Sequence, residues 1–280
     1  MVKKAHLVTG KGGVGKSLFS AVLAYRLSLQ NQHILLTELT EQSFFRDFLN
    51  IPQINYKPTN WKPGLDVSQW SPEDCLKEYS LHLLKIESLY KIFIENPVSR
   101  SLIQVAPGLH ELALLGKLTS SPRHHGPPMD FDQIVVDSFS TGHFLSLLRA
   151  PAALNEAVPF GPMGEQSKSI NKWIRDPNFT EVHIVCLPEE LPVTESIELY
   201  GQLKSEFGIE SHFYLNKMWN ISEQDLSGLT PTAATALSNT IDCEKSARQK
   251  LREAGITYKE LPLVTSIDPV ELIVKLAAAP

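Results

Sequence analysis

The chain has 280 residues, 42% of them hydrophobic and 20% charged, with a formal net charge of −5 and an isoelectric point near 6. That is enough apolar residue to bury a sizeable core, and it excludes a largely disordered chain. The acidic balance without a Lys/Arg cluster speaks against a nucleic acid as main partner, and no apolar run is long enough for an integral membrane segment.

Ala5–Thr9 reads as a buried strand. Gly10-Lys11-Gly12-Gly13-Val14-Gly15-Lys16-Ser17 follows, and a helical stretch runs from Lys16 to about Leu29. The eight residues fit G-x-x-x-x-G-K-[ST], in the strand–turn–helix context that this pattern needs. Such a turn aims backbone N–H groups and the positive end of a helix dipole at one point, where an anion belongs. Glycines let the main chain approach phosphate oxygens. Lys16 would carry the charge at the β- and γ-phosphates, and Ser17 the hydroxyl that helps hold Mg²⁺. Gly10-x-Gly12-x-x-Gly15 also spells a dinucleotide fingerprint, with Glu38 where a ribose-binding acid would sit. The Lys16-Ser17 pair argues against that alternative, because a nicotinamide cofactor has no γ-phosphate to grip. Lys3-Lys4 leads almost at once into this loop, so neither signal peptide nor anchor is expected and the protein is expected in the cytoplasm.

His33–Thr37 is the next strand, with Glu38–Ser43 as a loop beside the phosphate site. Ile51–Gly64, with three prolines, reads as a surface connection. Ser71 caps a helix with Pro72, Glu73 and Asp74 in its first turn. Leu76, Tyr79, Leu83, Ile86, Tyr90 and Phe93 then form an apolar stripe. The stripe is read mainly as packing, with a groove for an apolar client as the alternative. Pro97, Leu102–Val105, Pro107-Gly108 and a short helix through Leu118 follow. Ile134-Val135-Val136-Asp137 is a buried strand that delivers a carboxylate to its end, which is the Walker B arrangement, with Asp137 on the magnesium water shell.

Ser138–His143 is a second small-residue loop that leads into a helix and a candidate second switch. Val182–Leu187 is a strand, followed by a helix to about Phe207. His212–Leu215 is another strand and carries Asn216, whose amide can pair with the edge of adenine. Leu261-Pro262-Leu263-Val264 offers a last strand and turn that could close over the base, and Pro269–Leu276 is a helix. This alternation predicts an α/β fold with a doubly wound, mainly parallel sheet: one domain over residues 1–280 with a helical insertion at about 66–120. Cys75, Cys186 and Cys243 lie far apart, so disulfides are not expected. The nine histidines are scattered, and the adjacent pair His124-His125 reads as a solvated loop, with no companion ligand at a metal-site spacing.

The phosphate loop, with a second lysine at Lys11, resembles the deviant Walker A loop of the dimeric ATPases that include ParA, MinD, nitrogenase iron protein and the arsenite-pump ATPases (ArsA). Asp137-Ser138-Phe139-Ser140-Thr141-Gly142-His143 resembles D-T-A-P-T-G-H of the arsenite-pump branch and its tail-anchored-protein targeting relatives. Ala106-Pro107-Gly108 with Glu111, and the segment from Leu65 to Tyr79, resemble that branch's insertion. The resemblance implies an ATP- and Mg²⁺-binding homodimer, or a pseudodimer with a paralogue, with a protein client or membrane pump subunit as partner. Nucleotide contacts are expected from Gly10 through Leu18 and, on the base side, from Asn216 and Pro262. The resemblance also implies that Lys11 reaches the partner's phosphates; read alone, Lys11 is a solvated loop lysine.

Three departures stand out. The aspartate of the family's first switch (D-P-A-H-S) falls on Thr40, whose hydroxyl cannot act as a base at neutral pH. Hydrolysis is then slow, by about 10²–10⁴, unless Glu38 or Glu41 substitutes. Neither the zinc-binding cysteine pair nor the arsenite-binding cysteine cluster is present. The stretch from His143 to Val182 is shorter than the family's client-binding region. The leading expectation is an ATP-dependent dimeric switch, and the alternative is a non-hydrolysing ATP-binding module that holds a protein partner.

Overall fold

Along β5 (Gln133–Asp137), Ile134 and Val136 enter one apolar layer and Val135 the other, as a strand buried on both faces requires. The computed structural model describes residues 2–40, 42–84 and 108–278. Its eight-stranded sheet has the order β3-β4-β2-β5-β1-β6-β7-β8, parallel throughout except for the antiparallel pair of β3 (Thr59–Lys62) and β4 (Leu65–Gln69). The other strands are β1 (Lys4–Thr9), β2 (Ile34–Glu38), β6 (Thr180–Cys186), β7 (Ser211–Met218) and β8 (Tyr258–Pro262). The doubly wound parallel sheet expected from the alternation is present.

One face is covered by α1 (Lys16–Ser28) and by the C-terminal helix Pro269–Ala278, with Phe19, Ala21, Ala24 and Ile273 against Val8, Leu36, Val135 and Val185. The helices between them in sequence begin with α2 (Phe44–Phe48), α3 (Pro72–Leu84), α4 (Leu109–Leu118) and the single turn α5 (Ser120–Arg123). They continue with α6 (Thr141–Ala157), α7 (Gly161–Ile174), α8 (Glu190–Gln202) and α9 (Pro231–Glu253), which makes the C-terminal helix α10. Leu115, Phe144, Leu148, Ile170, Val193 and Leu251 from this second set line the opposite face.

Several boundaries differ from the sequence reading for identifiable reasons. The stretch Ile51–Gly64 contains β3, a short edge strand between Pro58 and Pro63 that turns back at Gly64 (φ +73°). The last strand starts at Tyr258, three residues before the expected Leu261, and Leu263 still donates to the Met218 carbonyl. Between β7 and β8 lies α9, 23 residues long with only Ile241, Glu244, Ala247 and Leu251 buried. One of those four is a glutamate, which accepts from the Trp219 N–H at 2.6 Å, so the apolar periodicity is too thin to mark the helix.

Ser71 caps α3 as expected, accepting from the Asp74 N–H at 3.1 Å. In the apolar stripe, Leu76 is half-buried and the Tyr79 hydroxyl pairs with His125 Nε2 at 2.9 Å; Ile86, Tyr90 and Phe93, with Pro97, Leu102–Val105 and Pro107, lie outside the described residues. Cys75, Cys186 and Cys243 are free thiols.

Leu251 is fully buried and is the deepest apolar anchor of α9. Leu251→Ala is expected to cost about 2–5 kcal/mol of unfolding free energy in urea titrations, and a loss below about 1 kcal/mol would show that α9 does not depend on this contact.

Candidate functional site

The site forms at the carboxyl ends of β1, β5 and β2, three neighbouring parallel strands. Gly10 leaves β1 with φ +145°, and a side chain there would collide with the Val185 carbonyl oxygen of β6. Gly15 has φ +96° at the start of α1, and a Cβ would lie 2.5 Å from Asn216 Nδ2. Both positions therefore need glycine for shape and for space. Gly12 and Gly13 face open space. The loop is pressed against the sheet at its two ends and is bare at its crest, a main-chain cup with room for an anion.

Lys16 Nζ donates to the Lys11 carbonyl across this cup at 3.1 Å. Burial pushes its pKa down, and the charge on Asp137 partly offsets that. Asp137 ends β5 directly beneath, where burial raises its carboxyl to about 6, against hydrogen bonds from Ser17 and Ser20 and the charge on Lys16. The two groups carry opposite charges, and burial pushes each toward its neutral form.

Glu38 is buried at the end of β2, accepting from the Ser43 hydroxyl and from the Phe44 N–H (3.0 Å), and burial raises its pKa. Both carboxylate oxygens thus engage the start of α2. Thr40 is exposed; its hydroxyl pairs with Gln42 and its carbonyl accepts from Gln69 Nε2 at 2.7 Å. Glu41 lies outside the described residues.

Lys11 forms an ion pair with Glu195 of α8 at 2.7 Å. It borders a cleft of about 530 Å³ between the loop and the start of α8, lined also by Gly12, Leu187, Glu189 and Leu191. Asn216 is buried, and its amide donates to the Val14 carbonyl at 2.8 Å, so it braces the loop from below. Pro262 sits at the end of β8 opposite Met218, partly buried. In the first turn of α6, which begins at Thr141 inside the expected loop Ser138–His143, His143 stacks on Phe139 (centroids 3.8 Å apart) and lies 3.7 Å from Glu111 of α4.

Gly10–Ser17, Asp137, Glu38 and Asn216 are therefore gathered at one sheet edge. Glu195 and Gln69, which hold Lys11 and Thr40, have no signal in the sequence because they act across 184 and 29 residues. Ser20 could have been found, since it lies one helical turn after Ser17.

A β-strand, this loop and a helix, with an acid from the adjacent parallel strand beneath them, define a P-loop nucleoside triphosphatase. Residues 3–160 match the family described as anion-transporting ATPase (ArsA), more than half the chain, and the chain belongs to that family. It is similar to the ATPase BagA of Mycobacterium tuberculosis, 29% identical over 270 residues, covering 90% of this chain and 74% of the relative. It is also similar to the arsenical pump-driving ATPase of Escherichia coli, 27% identical over 205 residues, 71% of this chain and 32% of that one. The ATPase ASNA1 homolog of Cryptosporidium parvum is 26% identical over 250 residues, 75% of this chain and 64% of that one.

The raised pKa of Asp137 fixes a pH dependence for the nucleotide-free protein. A carboxyl at about 6 when folded and near 3.8 when unfolded stabilises the fold below about pH 4, and that contribution is lost as pH rises through 6. Relative to Asp137→Asn, the wild type should lose on the order of 1–3 kcal/mol between about pH 4 and 7. Urea unfolding at both pH values measures this, and a constant difference between the two proteins would contradict it.

Proposed function

We propose that this ATPase binds Mg²⁺-ATP on Gly10–Leu18 and works as a dimeric switch. The observation that carries this reading is the pair of desolvated groups, Lys16 and Asp137, at the rim of an open main-chain cup. Lys16 would exchange its bond to the Lys11 carbonyl for the β- and γ-phosphate oxygens, regaining a full counter-charge. Ser17 and Asp137 would hold Mg²⁺, whose charge neutralises the phosphate oxygens. Asn216, whose amide hydrogen serves the loop, retains a carbonyl oxygen for the adenine amino group, and Pro262 would border the base. Isothermal titration of Mg-ATP should show Lys16→Ala weakened by about 2–4 kcal/mol; equal affinity for both proteins would end the nucleotide reading.

Hydrolysis is slow in this proposal. Thr40 stands where the family places an aspartate, and its hydroxyl can orient water but not deprotonate it. Glu38 becomes a base only if it releases α2; in the arrangement seen it positions the first switch loop. Thr40→Asp should therefore raise the single-turnover hydrolysis rate by about tenfold or more, and an unchanged rate removes Thr40 from the account.

Dimerisation would bring Lys11 to the partner's phosphates. Its ion pair with Glu195 is partly exposed and costs little to break. The stack of His143 on Phe139, together with Glu111, would carry loop movement into α4. The ATPase would act in the cytoplasm, with a protein client or a membrane pump subunit as its partner. Metalloid activation lacks support, since Cys75 and Cys186 are buried and Cys243 alone of the three thiols is exposed. Among the described residues no helix is long and apolar enough to cross a membrane.

The spent oxygens of Glu38 favour one second reading, a non-hydrolysing module that holds a protein partner while ATP is bound. Bound ATP that stays intact for hours in a single-turnover assay supports the module, while cleavage that depends on Asp137 supports the switch.

A further inference from the structure

Toward the amino ends of β1 and β6, on the face covered by α1, three side chains from two adjacent strands converge. His6 is on β1, and Glu181 and His183 are on β6; His6 and His183 are only 4% and 3% exposed. His6 Nδ1 lies 3.0 Å from His183 Nε2 and 3.2 Å from Glu181 Oε2, and His183 Nε2 lies 3.9 Å from the same oxygen. Four ligands at zinc's bond lengths of about 2.0–2.1 Å stand about 3.3 Å apart at the corners of a tetrahedron. The three observed separations bracket that edge. On β7, His212 Nε2 lies 3.8 Å from Glu181 Oε2, and the ring is half-exposed at the open side of the cluster.

The outward atom of each inner residue is already held. His6 Nε2 donates to Gln133 Oε1 at 2.6 Å, and Gln133 is itself oriented by its bond to Gln32. His183 Nδ1 meets the Tyr214 hydroxyl at 3.3 Å, and Glu181 Oε1 takes the Lys4 ammonium at 2.5 Å. The three inner atoms are thus left facing one another, with a proton to share among them. This is the outer-shell support that metal-binding histidines characteristically have.

We propose that His6, Glu181 and His183 form a binding site for a borderline divalent transition metal of the Zn²⁺ type, which His212 would complete as fourth ligand by turning its ring inward. Two or three imidazoles with one carboxylate suit such an ion, whereas Mg²⁺ and Ca²⁺ favour oxygen ligands. The ion would displace the shared proton and enter from the side of Glu181 and His212. It would tie together β1, β6 and β7, the strands whose carboxyl ends carry the phosphate loop, Val185 and Asn216. The site stands independently of the nucleotide reading.

Titration of the metal-free full chain with Zn²⁺ should give one ion per chain and a rise in Tm, and Co²⁺ should give the strong visible absorption of a four-coordinate site. Glu181→Gln and His212→Ala, both at the accessible side, should keep the fold and weaken Zn²⁺ binding by about tenfold or more. Gln133→Leu removes the support of His6 without replacing a ligand and should weaken it by about 10–100-fold. No uptake by the wild type would leave the cluster a hydrogen-bond network only. Binding as tight in Glu181→Gln and His212→Ala as in the wild type would place the ion elsewhere, for instance on the exposed Cys243, and either result overturns the proposal.

Discussion

The loop between β1 and α1 keeps its shape because the sheet presses on it from below. Val185 leaves no space for a side chain at Gly10, and Asn216 fills the space under Gly15 while it holds the Val14 carbonyl. These supports come from β6 and β7, strands that the chain reaches only long after the loop. A cup built from main-chain donors therefore exists only once the parallel sheet has closed around β1, and the anion site is a property of the whole fold. At its crest, Gly12 and Gly13 face open space.

Electrostatics beneath the cup follow from the same enclosure. Lys16, Asp137 and Glu38 stand close together in a space that penalises charge, and their shifts all run toward the neutral forms. Such an arrangement contributes little to stability and is poised for a ligand that carries both signs of charge. Around it, the segments that follow β2 and β5 are tethered by side-chain contacts. Gln69 holds the Thr40 backbone, Glu38 is bound to the start of α2, and His143 rests on Phe139 within reach of Glu111. Movement of the segment after β2 must therefore break the hydrogen bonds of Glu38 and Gln69.

How much of this is legible in the residues depends on range. The glycine pattern, the Lys16-Ser17 pair and the apolar strand ending in Asp137 are local signals, and the structure gathers them along one sheet edge. The parallel sheet is legible because its strands are apolar on both faces. Helix α9 is not, since its exposed surface dilutes the apolar period and one of its four buried positions is Glu244. β3 is hidden by the prolines on both sides of it. The side chain of Asn216 has the donor and acceptor that pairing with a base requires, but the structure gives its amide hydrogen to the loop. The convergence of His6, Glu181 and His183 is invisible for a simpler reason: 177 residues separate the two histidines, and only the pairing of β1 with β6 brings them together.

The two outermost strands have a bearing on how copies of the chain can meet. β3 is four residues long, bulged against β4 and followed by Pro63, while β8 carries the charged pair Lys259 and Glu260 and ends in Pro262. Proline offers no amide hydrogen, and charge on a rim strand resists being stacked against its own image. Continuous sheet across a molecular boundary is thereby disfavoured on both flanks, which guards against fibrous association.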